Sequence, residues 1–112
     1  MKNLRNSVQL IGHLGIDPEV KTFDNGRMAR ISLATNEKYK NSNGEQVENT
    51  QWHNVIAWGR TAEIAEEYLK KGQEVAVRGK LQTRQYEDAD GNKRFTTEVV
   101  CNELLMLGQK SA

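Results

Sequence analysis

Apolar and polar positions alternate along most of this chain with a period of two, and over one segment with a period near four. Ser7–Leu14 is apolar and β-prone and predicts a first strand. Asp17-Pro18 signals a turn, and Val20–Phe23 allows a short strand before the Asn25-Gly26 turn. Arg27–Thr35 places Ala29, Ile31 and Leu33 on one face and Arg30 and Ser32 on the other, the pattern of a half-buried strand. Glu37–Thr50 is polar, contains Asn43-Gly44 and reads as a long exposed loop; Gln51–Trp58 is the next strand. In Thr61–Lys71 the apolar residues Ile64, Ala65, Tyr68 and Leu69 recur at helical spacing. Thr61 is the expected cap, Glu63 falls in the first turn, Lys70 and Lys71 in the last, and Gly72 is the stop. Glu74–Tyr86 returns to period two, with Val75, Val77, Gly79, Leu81 and Thr83 on one face. Asp90-Gly91 marks a hairpin turn, and Arg94–Leu107 is the last strand region.

Counting the short strand with its neighbour, this order predicts a mainly β fold, a five-stranded OB-fold barrel with one α-helix between strands 3 and 4. A chain of 112 residues fits a single domain, here residues 1–108, with 109–112 as a short disordered remnant. Met1–Val8 has no apolar run behind it, and no other stretch is long enough to span a membrane. The lone Cys101 cannot form an internal disulfide, so a reducing, cytoplasmic setting is expected. Net charge is only +1, from 16 Lys and Arg against 15 Asp and Glu, so distribution matters more than the total. Acidic residues cluster at Glu63, Glu66 and Glu67 and at Glu87, Asp88 and Asp90, whereas Arg78–Arg84 carries only positive charge.

The candidate chemistry lies on strand faces. Trp52, Asn54, Ile56 and Trp58 point one way, with the two indoles roughly 20 Å apart at strand rise, and His53, Val55 and Ala57 point the other. The non-core face of the following strand reads Ala76, Arg78, Lys80, Gln82, Arg84, Tyr86, and Lys38, Tyr39 and Lys40 open the long loop. A flexible single strand of nucleic acid exposes bases and phosphates together: flat rings stack on any base, and cations track the backbone. A duplex reader instead needs an element that presents hydrogen-bonding groups to a groove, and the one helix here is short and acidic. Any one of these aromatics, taken alone, is better read as core or interface. Their conjunction with cations at three places favours single-strand binding.

At these residues the chain resembles the bacterial single-stranded DNA-binding proteins of the homotetrameric OB-fold type. The resemblance runs through Leu10–Val20 (LIGHLGIDPEV), Ile31–Thr35 (ISLAT), Thr50–Gly59 (TQWHNVIAWG), Glu67–Gly72 (EYLKKG), Gly79–Arg84 (GKLQTR) and Phe95–Val100 (FTTEVV), in order over nearly the whole chain. It implies sequence-independent binding and protection of single-stranded DNA in replication, recombination and repair. Bases would stack on Tyr39, Trp52, Trp58 and Tyr86, and phosphates would meet Lys38, Lys40, Arg60, Lys71 and Arg84. Arg78 and Lys80 join the cations by the strand pattern alone. Tyr39 and Tyr86 are commonly Trp in relatives, and Asn54 stands at an often basic position. The resemblance also implies a tetramer, with the first strand and His53 at subunit contacts, and a nucleoid-associated location. Relatives usually continue into a Gly, Pro and Gln-rich linker with an acidic tip that recruits replication and repair proteins. Here the sequence stops at Leu107–Ala112, so binding of those partners is not carried over.

Catalysis is not expected. His13 and His53 neighbour no plausible nucleophile, Ser7, Ser32 and Cys101 have no motif around them, and no Cys/His spacing suits zinc. Gly12–Gly15 lacks the Lys-Ser/Thr ending of a phosphate loop. Neither a cofactor nor a metal is anticipated. Three alternatives stay open: an OB-fold adaptor of replication restart, a pure assembly protein whose aromatics are interface, and an RNA binder, since stacking does not separate ribose from deoxyribose.

Overall fold

The structure is a computed structural model, and it describes residues 5–107. The terminal remnant expected at 109–112 lies outside the described residues. Seven elements follow one another: β1 (Val8–Leu14), β2 (Glu19–Phe23), β3 (Gly26–Lys40), β4 (Gln46–Trp58), α1 (Gly59–Tyr68), β5 (Glu74–Glu87) and β6 (Lys93–Leu107). The strands hydrogen-bond in the order β1-β5-β6-β4-β3-β2, and β1 pairs also with β3 through His13–Ala34 and Leu14–Leu33. That second pairing closes the sheet into the OB-type barrel, with β2 as a short flap on β3 and the helix between the strands expected to flank it.

Alternation decides what fills the barrel. Leu14, Ala29, Ile31, Leu33, Val55, Ala57, Val75, Val77, Val99 and Cys101 point inward, and Ala62, Ala65 and Leu69 of the helix segment close the open end. Cys101 is buried and its Sγ donates to the Glu103 carbonyl at 3.1 Å; burial pushes its thiol above the ordinary value. Thus it acts as a small core residue.

Two expectations need correction. The polar segment Glu37–Thr50 is not a loop. β3 and β4 stay paired from Met28–Trp58 out to Lys40–Gln46, so most of it forms a two-stranded arm with a short turn at residues 41–45. The pairing propagates through backbone bonds, and cross-strand contacts such as Thr50 Oγ1 donating to Asn36 Oδ1 at 2.7 Å support it. Without apolar alternation in those residues, the period of two was invisible. The helix is also displaced. It begins directly after Trp58, whose extended backbone (φ −120°, ψ 155°) caps it without a side-chain bond. Gly59, at φ 58°, makes the corner between strand and helix that a side chain would resist. Thr61 therefore lies inside the helix and caps nothing, Leu69 is the C-cap, and Glu63, Lys70 and Lys71 miss the terminal turns. Gly72 does take a left-handed φ of 87°, but in a turn past the helix, where its N–H donates to the Leu14 carbonyl.

Candidate nucleic-acid interface

The outer face of β2, β3, β4, β6 and β5 is continuous. Ladder pairs set Met28 beside Trp58, Arg30 beside Ile56, Ser32 beside Asn54 and Ala34 beside Trp52. Lys21 of β2 lies opposite Met28. On the far side of β4, Ile56 pairs with Val100 of β6, and β6 sets Glu98 beside Gln82 and Thr96 beside Arg84. Two concavities form on this face. The first, about 400 Å³, is lined by Lys21, Phe23, Arg30, Trp58, Arg84 and Glu98, among others, over a floor that includes buried Ile56. The second runs on from it past Asn54 and Arg84 to Tyr86.

The four rings are all exposed: Tyr39 by 51%, Trp52 by 61%, Trp58 by 46% and Tyr86 by 43%, enough for a base to cover a ring face. Trp58 is braced by Phe23, with ring centroids 5.9 Å apart and planes tilted by 40°. Trp52 leans on Gly15, where a Cβ would collide with its six-membered ring. Arg84 is gripped by Glu98, Nε to Oε1 at 3.1 Å and Nη2 to Oε2 at 3.3 Å, and this bond raises the guanidinium further above its ordinary value. The face thus combines flat apolar surfaces with donors, the combination that a strand with bases and phosphates exposed would need.

The model of the single-strand binding protein family matches residues 5–107. This chain belongs to that family. It is 46% identical over 109 residues to single-stranded DNA-binding protein 1 of Chlorobaculum tepidum, covering 96% of this chain and 67% of that protein. The single-stranded DNA-binding protein of Neisseria meningitidis serogroup A is 45% identical over 107 residues, covering 95% of this chain and 62% of its own length. The chain thus spans roughly two thirds of the curated relatives it matches. Among solved structures, the Plasmodium falciparum SSB in complex with ssDNA superposes with a TM-score of 0.84 at 31% identity, over 91% of this chain and 94% of that one.

Within this family fold, the residues singled out from sequence fall into separate groups. Trp58, Arg84 and Tyr86 lie together along the two concavities, and Trp52 continues the same face of β4. Alternation along the arm puts Lys38 and Lys40 on the Trp52 side and Tyr39, beside Val47, on the reverse. Arg78 and Lys80 line a different groove, with Asn6, Ser7 and Asn102, and Arg78 pairs with Glu103 at 3.5 Å. There β5 pairs with β1 as well as β6, and a bulge between Arg78 and Gly79 interrupts the ladder. One polar strand face is therefore shared between two surfaces. Arg60, in the first turn of α1, and Lys71, in the turn before β5, are exposed and line neither concavity. His53 is half-buried on the opposite face of β4 from Trp52, its Nε2 3.0 Å from Thr35 Oγ1. Lys21, Phe23 and Glu98 escaped the reading from sequence. The first two lie on a five-residue flap with no clear alternation, and Glu98 looked like one more polar residue of the last strand. No helix among the described residues is long and apolar enough to cross a membrane.

Proposed function

We infer that this chain is a binding protein, not an enzyme, that takes up single-stranded DNA irrespective of sequence and shields it during replication, recombination and repair. Family membership together with the exposed Trp58 and Tyr86 at either end of a cation-lined face carries this reading. Bases stack on Trp58, Tyr86 and Trp52 along this face and on Tyr39 where the strand passes round the arm to its reverse, each contact contributing on the order of 1–3 kcal/mol. Phosphates meet Arg84, Lys38 and Lys40 first. Arg60, Lys71, Arg78 and Lys80 take a strand that wraps beyond the face, and Lys21 and Arg30 extend the set. The action is passive: an occupied strand can neither re-pair nor fold back. It belongs inside the cell, with the nucleoid.

Titration of intrinsic tryptophan fluorescence with a thymidine oligonucleotide, and with the matching duplex, tests the reading. Quenching by the single strand alone is expected, with weaker binding and an unchanged fold in Trp58→Ala. No response to either would turn the aromatics into an assembly surface.

A homotetramer completes the proposal. The outer face of β1, β5 and β6 carries an apolar row, Ile11 beside Ala76 beside Leu105, with Ile11 and Leu105 well exposed. Such a row on a sheet face favours burial against another copy. His53 and β1 would be at subunit contacts. Light scattering should give the mass of four chains; a monomer at micromolar concentration would refute it.

A further inference from the structure

One group on the binding face runs against the demands of a polyanion. Glu98 is 7% exposed and lies where the two concavities meet. Among the described residues it is the one buried polar or charged side chain. A carboxylate so placed is costly unless paired, and both of its oxygens are held by Arg84. The pair is lopsided: the Glu98 side chain is 8% exposed and that of Arg84 49%. The grip engages Nε and one N–H of Nη2, leaving Nη1 and the outer Nη2 N–H unclaimed by Glu98. Arg84 lines the concavity that holds Trp58 and the one that holds Tyr86.

We propose that Glu98 is a positioning residue for strand binding: it holds the Arg84 guanidinium in one plane between the Trp58 and Tyr86 rings, its free N–H groups toward a phosphate. The proposal rests on the single-stranded DNA reading above. Without the grip, a long Arg side chain would have to give up its rotamer freedom on binding; with it, that ordering is complete in the free protein. Simple charge counting gives the opposite sign. Removing a carboxylate from the path of a polyanion should tighten binding, whereas releasing Arg84 should loosen it.

The test compares the parent, Glu98→Gln, Arg84→Lys, Arg84→Ala and the double Arg84→Ala/Glu98→Gln in thymidine-oligonucleotide titrations over a salt series, with thermal melts alongside. Glu98→Gln is expected to bind about three- to tenfold more weakly, the net loss of roughly one ordinary hydrogen bond. Its log–log salt slope should become shallower by about 0.7, one phosphate contact on a single strand. Arg84→Lys, which keeps the charge but not the fork, should weaken binding by a similar factor. The double variant should bind no more weakly than Arg84→Ala, because Glu98 acts only through Arg84. Binding by Glu98→Gln as tight as the parent or tighter, or losses that add in the double variant, would overturn the proposal. If Glu98→Gln loses its cooperative melt, Arg84→Lys decides: parental affinity would refute the need for a fork. A parent that fails to bind the oligonucleotide would instead sink the single-strand reading itself.

Discussion

Trp52, which the proposed function sets under a base, depends on a neighbour with no side chain. Its ring rests where a Cβ on Gly15 would be, and Gly15 is itself tied down by its N–H donating to the Ser32 carbonyl at 2.9 Å. The indole is largely exposed, so an added methyl would push the ring aside without breaking the core. Gly15→Ala should therefore raise the Kd for a thymidine oligonucleotide by about fivefold, the lower end of one stacked base, with little change in melting temperature. Unchanged affinity would show that the ring contributes nothing in its present orientation. At this scale the sequence was informative about side-chain type and strand parity. Trp52 and Trp58 share a face because they are six residues apart on a strand. It was silent about what braces each ring. Gly15 and Phe23 touch Trp52 and Trp58 only after the chain has folded across β3.

The two long hairpins end in the same turn. Asn41 and Asp88 each accept, through Oδ1, the backbone N–H groups two and four residues on, all at 3.0 Å. In both, the glycine three residues on donates back to the carbonyl of the first residue. A side-chain oxygen that closes its own turn in this way sets where each strand pair ends. In the β5–β6 turn the acceptor is charged. Arg94 Nε donates to Asp88 Oδ2 at 2.9 Å, and this bond, with the N–H groups of Asn92 and Asp90, holds Asp88 below its ordinary value of 3.8. The contribution of Asp88 to the turn is thus complete above that value and is lost as the pH falls through the lower, folded one. In a pH titration followed by amide NMR, the Asp90 and Asn92 signals should move with a midpoint below 3.8, and Asp88→Asn should abolish the movement. A midpoint at or above the ordinary value would refute the ion pair. The sequence marked Asp90-Gly91 as a hairpin turn, whereas Asn43-Gly44 read only as part of a long exposed loop. The β5–β6 hairpin announces itself by alternation nearer the barrel, whereas the polar arm borrows its strand geometry from the buried half of β3 and β4.

The whole molecule is less compact than its length suggests. Its radius of gyration is 16.1 Å, against about 13 Å for a globular domain of roughly 100 residues. The difference is carried by hairpins that extend past the barrel and offer reach to a wrapped strand. Because net charge is only +1, the proposed attraction for DNA would have to come from local cations such as Arg30, Arg84 and Lys38. Binding should still weaken linearly on a log–log salt plot, by about 0.7 per phosphate engaged on a single strand, and a flat response would remove the electrostatic part of the mechanism. Sequence alone determined the order of elements, the inward residues Ala29, Ile31, Leu33, Val55, Ala57, Val75 and Val77 and the ring and cation types on the outer face, because these follow from local period and residue chemistry; Leu81 and Thr83, expected on the same inward face, are exposed, past the bulge beside Gly79. Only the tertiary structure decided which of those residues share a surface. Barrel closure through β1 and β3, the bulge beside Arg78 and the grip of Glu98 on Arg84 join residues far apart in the chain. Local pattern carries no information about such pairings, since they are set by how strands cross and not by their neighbours in sequence.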